Sequence, residues 1–224
     1  MAVSGRSNPK KRASAATLEK HKRPARAVDV GTRKEILEAA LAAFARDGFD
    51  SASLPKIAEI ANVAHPLIHY YFGSKDNLWR ETVEYAFGGL VAEATAVEAS
   101  SRGLSPLQRL RVMVQAFAQF AARYPNHLGL IMAEMRSDSE RLAWLRENYI
   151  NAFVRRLTRA LKDAQEQNEI KQIPLDHLAF ILIGSIVLYF SINFEPPPKN
   201  VKSEDLANRH AKWVLEVILN GITT

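Results

Sequence analysis

Side chains able to do covalent or metal chemistry are few in this sequence and poorly spaced for it. Cysteine is absent, which excludes disulfides, thiolate metal sites and cysteine nucleophiles. The histidines beyond residue 80 are His127, His177 and His210, without the tight spacing of a zinc site such as H-E-x-x-H. Neither a G-x-S-x-G elbow nor a Gly-rich phosphate loop occurs. An enzyme is not expected, nor a metal or cofactor.

The placement of charge says more than its total. The formal net charge is +6. Residues 1–31 carry Arg6, Lys10, Lys11, Arg12, Lys20, Lys22, Arg23 and Arg26 against Glu19 and Asp29, which accounts for all of it. An Ala-, Ser- and Pro-containing basic arm without an apolar face is expected to be disordered in isolation. It is either a nucleic-acid-binding arm or a solubilising tail. It lacks the apolar core of a secretory signal. With cysteine absent, a cytoplasmic address fits. The longest uncharged apolar run, Leu178 to Phe194, is short for a membrane span and holds Ser185, Ser191 and Asn193, so a buried or interface helix is the better reading.

The elements that must position these groups read as helices, about nine in all, with no convincing strand alternation. Thr32 and Glu35 form a capping box before Ile36, Leu37, Ala40, Leu41 and Phe44, and Gly48 stops that helix. Ser53 caps a short helix carrying Ile57, Ala58 and Ala61. Asn62 suits a left-handed turn. Pro66 then sits at the first position of a third helix, because His65 before it is disfavoured in helical geometry. That helix ends near Gly73. Ser74 caps a long fourth helix towards Ser100, and Ser105-Pro106 opens one ending before Tyr124-Pro125. Short and long helices follow over about 126–136 and 139–168. Pro174 opens the apolar helix, Pro196-Pro197-Pro198 forms a linker, and a last amphipathic helix covers about 203–220. The expected fold is all-α: a small N-terminal three-helix head on a larger helical body.

Two short helices joined by a tight turn and braced by a preceding helix make a helix-turn-helix, whose second helix can lie in a DNA major groove. From spacing alone an ordinary helical hairpin remains open. The residues themselves are more specific. The stretch IAEIANVAHPLIHYYFGSKDNL resembles the TetR family of bacterial transcriptional regulators, whose members show I-A-x-x-A-G-V-S, a Y-x-Y-F-type helix end and S-K-x-x-L. The resemblance is strong over 32–80; beyond it only helix number and length match. It implies a DNA-binding domain at 32–80, behind the arm at 1–31, and a dimerisation and effector-binding domain at 81–224. His65, Pro66 and Leu67 fall where the family reads base edges, and His69, Tyr70 and Tyr71 where aromatic residues touch phosphate or sugar. Ser53 and Lys56 face the DNA backbone at the start of the second helix. Lys75 adds its charge to a helix N-terminus beside a phosphate. Tyr71 can equally be core, and Lys56 simply solvated. Ile57, Ala58, Val63, Ile68 and Phe72 are the expected core of the head. Asn62 replaces the usual glycine, Ala64 the usual serine and Leu67 a common threonine, which leaves the operator sequence open.

The resemblance further implies a homodimeric regulator of operator DNA, in the usual case a repressor released by a small molecule. A regulator with no small-molecule effector, constitutive or controlled by a protein partner, is the alternative. A mostly apolar effector is expected against Phe117, Phe120, Leu130, Met135, Tyr149, Ile183 and Val187, with His127 and Glu134 as polar anchors. For any one of these residues a place in the helical core is the stronger reading, and His127 can simply cap a helix or face solvent. Gly184, Ser185 and Ser191, with Leu206, His210, Trp213, Val214, Val217 and Ile218, are the expected dimer contact.

Overall fold

In the computed structural model, residues 25–191, 201–219 and 221 are described. Most of the basic arm and the Pro196-Pro197-Pro198 linker lie outside them. Among the described residues the architecture is all-helical. α1 (Ala25–Ser51) is broken at Gly48, whose φ of 77° ends its regular part. It begins earlier than expected: Thr32 lies inside it and caps nothing, and residues 25–31, assigned above to a disordered arm, are helical. α2 (Leu54–Ile60) starts at Ser53, whose Oγ accepts from the Lys56 amide at 3.4 Å. Asn62 takes the left-handed turn at φ 53°. α3 (His65–Phe72) then begins one residue before Pro66, with Ala64 extended ahead of it and no side-chain cap.

The fourth helix departs most from expectation. Ser74 caps it through the Asn77 amide at 3.1 Å, but α4 (Lys75–Phe87) stops at Gly88-Gly89 and α5 (Leu90–Ser100) starts afresh. A Cβ at Gly88 would lie 2.6 Å from the Glu84 carbonyl oxygen, so no larger residue fits that turn unchanged. α6 (Pro106–Arg123) opens with a Ser105–Gln108 capping box, and α7 (Pro125–Glu134) follows directly. α8 (Glu140–Leu145) and α9 (Asn151–Glu166) are joined by a π turn over Arg146–Ile150. The wider turn rotates the apolar stripe, so Leu145 packs with the head while Leu157 and Leu161 face the body. α10 (Leu175–Ser191) and α11 (Ser203–Val214) complete the body.

Two cores result. The first joins Ile36, Phe44, Ile57, Ile68, Phe72, Leu78 and Trp79 of α1–α4 to Leu130 of α7 and Leu145 of α8. The second lies among α6, α9, α10 and α11, around Leu110, Val114, Leu161, Leu182 and Val214. α1 lies close along α7, and a Cβ at Gly129 would come within 3.1 Å of Ala45 Cβ.

Candidate nucleic-acid interface

α3 is amphipathic with a period that holds it by two anchors. Ile68 and Phe72, one turn apart, are buried, whereas His65, Pro66, Leu67, His69 and Tyr70 are exposed. Arg33 of α1 pairs with Glu81 of α4 and lies 5.4 Å from the Phe72 ring, so α1 and α4 hold the end of α3 together. Asn77 Nδ2 donates to the Phe72 carbonyl at 3.0 Å, tying α3 to α4 again. The outward face is aromatic and imidazole-rich. The rings of His65 and His69 meet edge to face at 5.2 Å, and His69 Nδ1 lies 3.1 Å from the Gly73 carbonyl oxygen.

The polar residues around α3 are less free than their sequence suggests. Lys56 is exposed but ion-paired to Glu59 at 2.8 Å. Tyr71 is half-buried against the head core, tilted on Phe72, and so belongs partly to the core. Lys75 Nζ donates to the Asp50 carbonyl at 3.2 Å and lies 4.6 Å from the centre of the Phe49 ring. Burial lowers its pKa from the ordinary lysine value, with Arg141 adding repulsion and Asp50 opposing both. Ser53, Lys56, the α3 residues and Lys75 thus all belong to the two short helices, the turn between them and the start of α4.

The sequence profile of bacterial regulatory proteins of the tetR family matches residues 36–82, the segment just described. The transcriptional repressor NicS of Pseudomonas putida is 25% identical over 202 residues, covering 85% of this chain and 92% of NicS. The transcriptional regulator RutR of Escherichia coli is 25% identical over 195 residues, covering 85% of this chain and 90% of RutR. Residues 36–82 are thus a TetR-family DNA-binding segment. The solved structure of the ketosteroid transcriptional regulator KstR2 of Mycobacterium tuberculosis shares the TetR-type fold at a TM-score of 0.71 and 18% identity, covering 86% of this chain and 95% of KstR2. PfmR of Thermus thermophilus gives 0.64 and 20%, covering 82% of this chain and 95% of PfmR. The relatives that match most of the chain are transcriptional regulators, and the fold is TetR-like.

The nine residues expected to line an effector site fall in several parts of the body. Phe117 and Ile183 line a cleft between α6, α9 and α10 with Met113, Phe153 and Leu157, and Val187 borders the same core. Its empty volume is about 230 Å³, counting the part open to solvent. His127 and Tyr149 belong to an aromatic cluster on the first core, and Phe120 packs against both cores. His127 meets the rings of Phe87, Phe120 and Tyr124 at 5.6, 5.7 and 4.9 Å, and Tyr149 lies 5.6 Å from Phe87. Burial lowers the His127 pKa against a hydrogen bond with the Ala86 backbone, and Nδ1 is buried without a hydrogen-bond partner. Leu130 is core, Met135 is exposed, and buried Glu134 faces Arg141. The period-3.6 pattern marks which residues turn inward but not which of two cores they enter.

Sequence reasoning overlooked Arg33, Phe49 and Arg141. Arg33 and Phe49 lie within the resembling stretch 32–80, but their partners Glu81 and Lys75 become neighbours only through the fold. Arg141, far along the chain, carries no local signal. Among the described residues no helix is long and apolar enough to cross a membrane.

Proposed function

We propose that the protein is a two-fold dimeric repressor that reads operator DNA with α3 and leaves it when a small, mostly apolar molecule binds the body. The observation that carries this reading is the outward face of α3, held by buried Ile68 and Phe72. Residues 32–80 form the DNA-binding unit in this proposal, and 81–224 the dimerisation and effector unit. His65, Pro66 and Leu67 approach base edges, with Pro66 and Leu67 suited to thymine methyl groups. His69, Tyr70 and Tyr71 line phosphate and sugar, and Ser53, Lys56 and Lys75 approach the backbone. Lys56 must exchange Glu59 for phosphate, whereas Lys75 has three N–H donors and can offer one to phosphate while another stays on the Asp50 carbonyl.

The dimer contact is proposed on α10 and α11. Phe180, Gly184 and Leu188 recur every fourth residue, and a Cβ at Gly184 would meet nothing within 4 Å. A partner helix can approach there closely. Phe180 is 78% exposed and Trp213 56%, alongside Ile181, Tyr189 and Val217. His210 stacks on Tyr189 at 3.8 Å and binds the two helices into one face. Val214, expected in this contact, is instead buried in the second core, and Ile218 packs partly against that core. The same face on both copies gives a closed, isologous contact.

The effector is proposed to enter the cleft lined by Met113, Phe117, Phe153, Leu157 and Ile183. Because α10 borders both cleft and dimer face, widening the cleft changes the spacing of the two heads. The effector must favour one spacing energetically, since equal affinity for both shifts nothing. A second reading, a regulator without a small-molecule effector, is favoured by the cleft's enclosed part having room for only about one water. The test has two steps. Light scattering at micromolar concentration should give a dimer, and a monomer with and without DNA overturns the assembly. Duplexes selected from a random pool by the full chain then report binding while apolar ligands are titrated. A tight ligand that leaves affinity unchanged at saturation overturns the release mechanism.

A further inference from the structure

The turn after Gly48 carries a side-chain arrangement that joins the body to Lys75 of the head. Phe49 is stacked on Phe44 at 5.8 Å and has two cations on it. One is the head's Lys75, with Nζ 4.6 Å from the ring centre. The other is Arg141 of α8 in the body, with its guanidinium carbon at 3.6 Å. Arg141 Nη2 also lies 3.9 Å from Asp50 Oδ1, in the residue whose carbonyl accepts from Lys75. On its other side Arg141 Nε is buried, 3.5 Å from Glu134 Oε2, an ion pair without hydrogen-bond geometry. Glu134 Oε2 accepts from Ser139 Oγ at 3.3 Å, and that oxygen in turn caps α8 through the Leu142 amide.

We propose that Arg141 is a positioning residue for DNA binding: it fixes the Phe49–Asp50 turn from the body side and thereby sets where Lys75 stands. Three features support this. A planar guanidinium stacked on a ring and paired at both edges holds orientation in a way an ammonium does not. The Arg141 charge faces Lys75 across the Phe49–Asp50 turn, so any movement of α7 or α8 alters both the position of Lys75 and the field it feels. Glu134, the carboxylate that orients Arg141, ends α7, the helix that lies along α1. The inference rests on the reading that Lys75 approaches DNA.

The experiment is a double-mutant cycle in the full chain, with anisotropy of a fluorescent duplex that the wild-type protein selects from a random pool. Arg141→Met is combined with Lys75→Ala. Because Arg141→Met leaves Glu134 buried without its cation, Glu134→Gln/Arg141→Met is run beside it, and thermal melting follows folding separately. Lys75→Ala should weaken binding, and either Arg141 variant should weaken it about tenfold, the scale of one hydrogen bond to a charged group. In the Lys75→Ala background neither Arg141 variant should weaken it further. Arg141→Lys, which keeps the charge but loses the planar stack, should not restore wild-type affinity. If the losses from Arg141 and Lys75 multiply, or if the Arg141 variants change only the melting temperature, Arg141 is merely structural and the inference is overturned. If Lys75→Ala leaves affinity unchanged, the placement of Lys75 at the DNA is wrong and both readings fall.

Discussion

Tyr70 and Phe72 stand two residues apart on α3, about 200° around the helix, and should fail in opposite ways. Phe72 is 2% exposed, packed among α1 and α4 beneath Arg33, whereas Tyr70 is 78% exposed. Phe72→Ala removes a fully buried ring at a cost of about 3–5 kcal/mol. For a chain of this size that lowers the melting temperature by roughly 6–20 °C. Tyr70→Ala removes little buried surface and should stay within about 0.5 kcal/mol, a shift of at most about 2 °C. Its effect should appear in DNA binding instead. Losing one hydrogen bond to a charged phosphate costs about 1.5–3 kcal/mol, which is at least tenfold in affinity per half-site. Melting at fixed protomer concentration, with anisotropy on a selected duplex, separates the two. Should Tyr70→Ala melt as early as Phe72→Ala, or bind DNA as the wild type does, the assigned outward face of α3 is wrong.

Asn62→Ala should lower stability by about 1 kcal/mol, because φ at this turn is 53° and alanine tolerates that region less well; the urea midpoint measures it. Acidification should destabilise the fold through His127 and His210, whose pKa values burial lowers. The unfolded chain then binds protons first, so this stability is complete above the ordinary histidine value near 6.5 and is lost as pH falls through and below it. Urea midpoints from pH 8 to 5.5 should fall, and His127→Gln should flatten the slope. Removing residues 1–28 should weaken binding to all duplexes and reduce the salt slope by about 0.9 for each phosphate that the arm had neutralised; unchanged affinity and slope would make the arm a solubilising tail.

The head was legible because its signals are local. Ser53, Asn62, Gly73 and Ser74 each act within a few residues, and the structure places them at the ends and turns expected of them. Pro66 was misplaced by one position, because His65 before it already counts as helical. Thr32 misled for a different reason: a capping pattern carries no force when the preceding residues continue the helix. The π turn at 146–150 was hidden because an apolar residue every third or fourth position fits one straight helix as well as two helices facing different cores. The break in the fourth helix was missed although Gly88-Gly89, a paired-glycine breaker, stands in the sequence. Least legible were the contacts of His127 with Phe87 and of Lys75 with Phe49, Asp50 and Arg141, which come from distant parts of the chain.

The first core has a consequence for building hybrid regulators. Leu130 and Leu145, which come from the body, fill the same interior as Ile57 and Phe72, and Gly129 admits α1 to within van der Waals range of α7. Grafting the head onto another regulator's body at residue 80 would therefore cut through α4 and leave that interior open on one side. A transplant that keeps its operator preference would have to bring α7 and α8 with it, or a recipient already carrying a leucine and a glycine at the matching places. Exchangeable units in this protein are consequently defined by shared interior rather than by the span over which the DNA-reading motif is recognised.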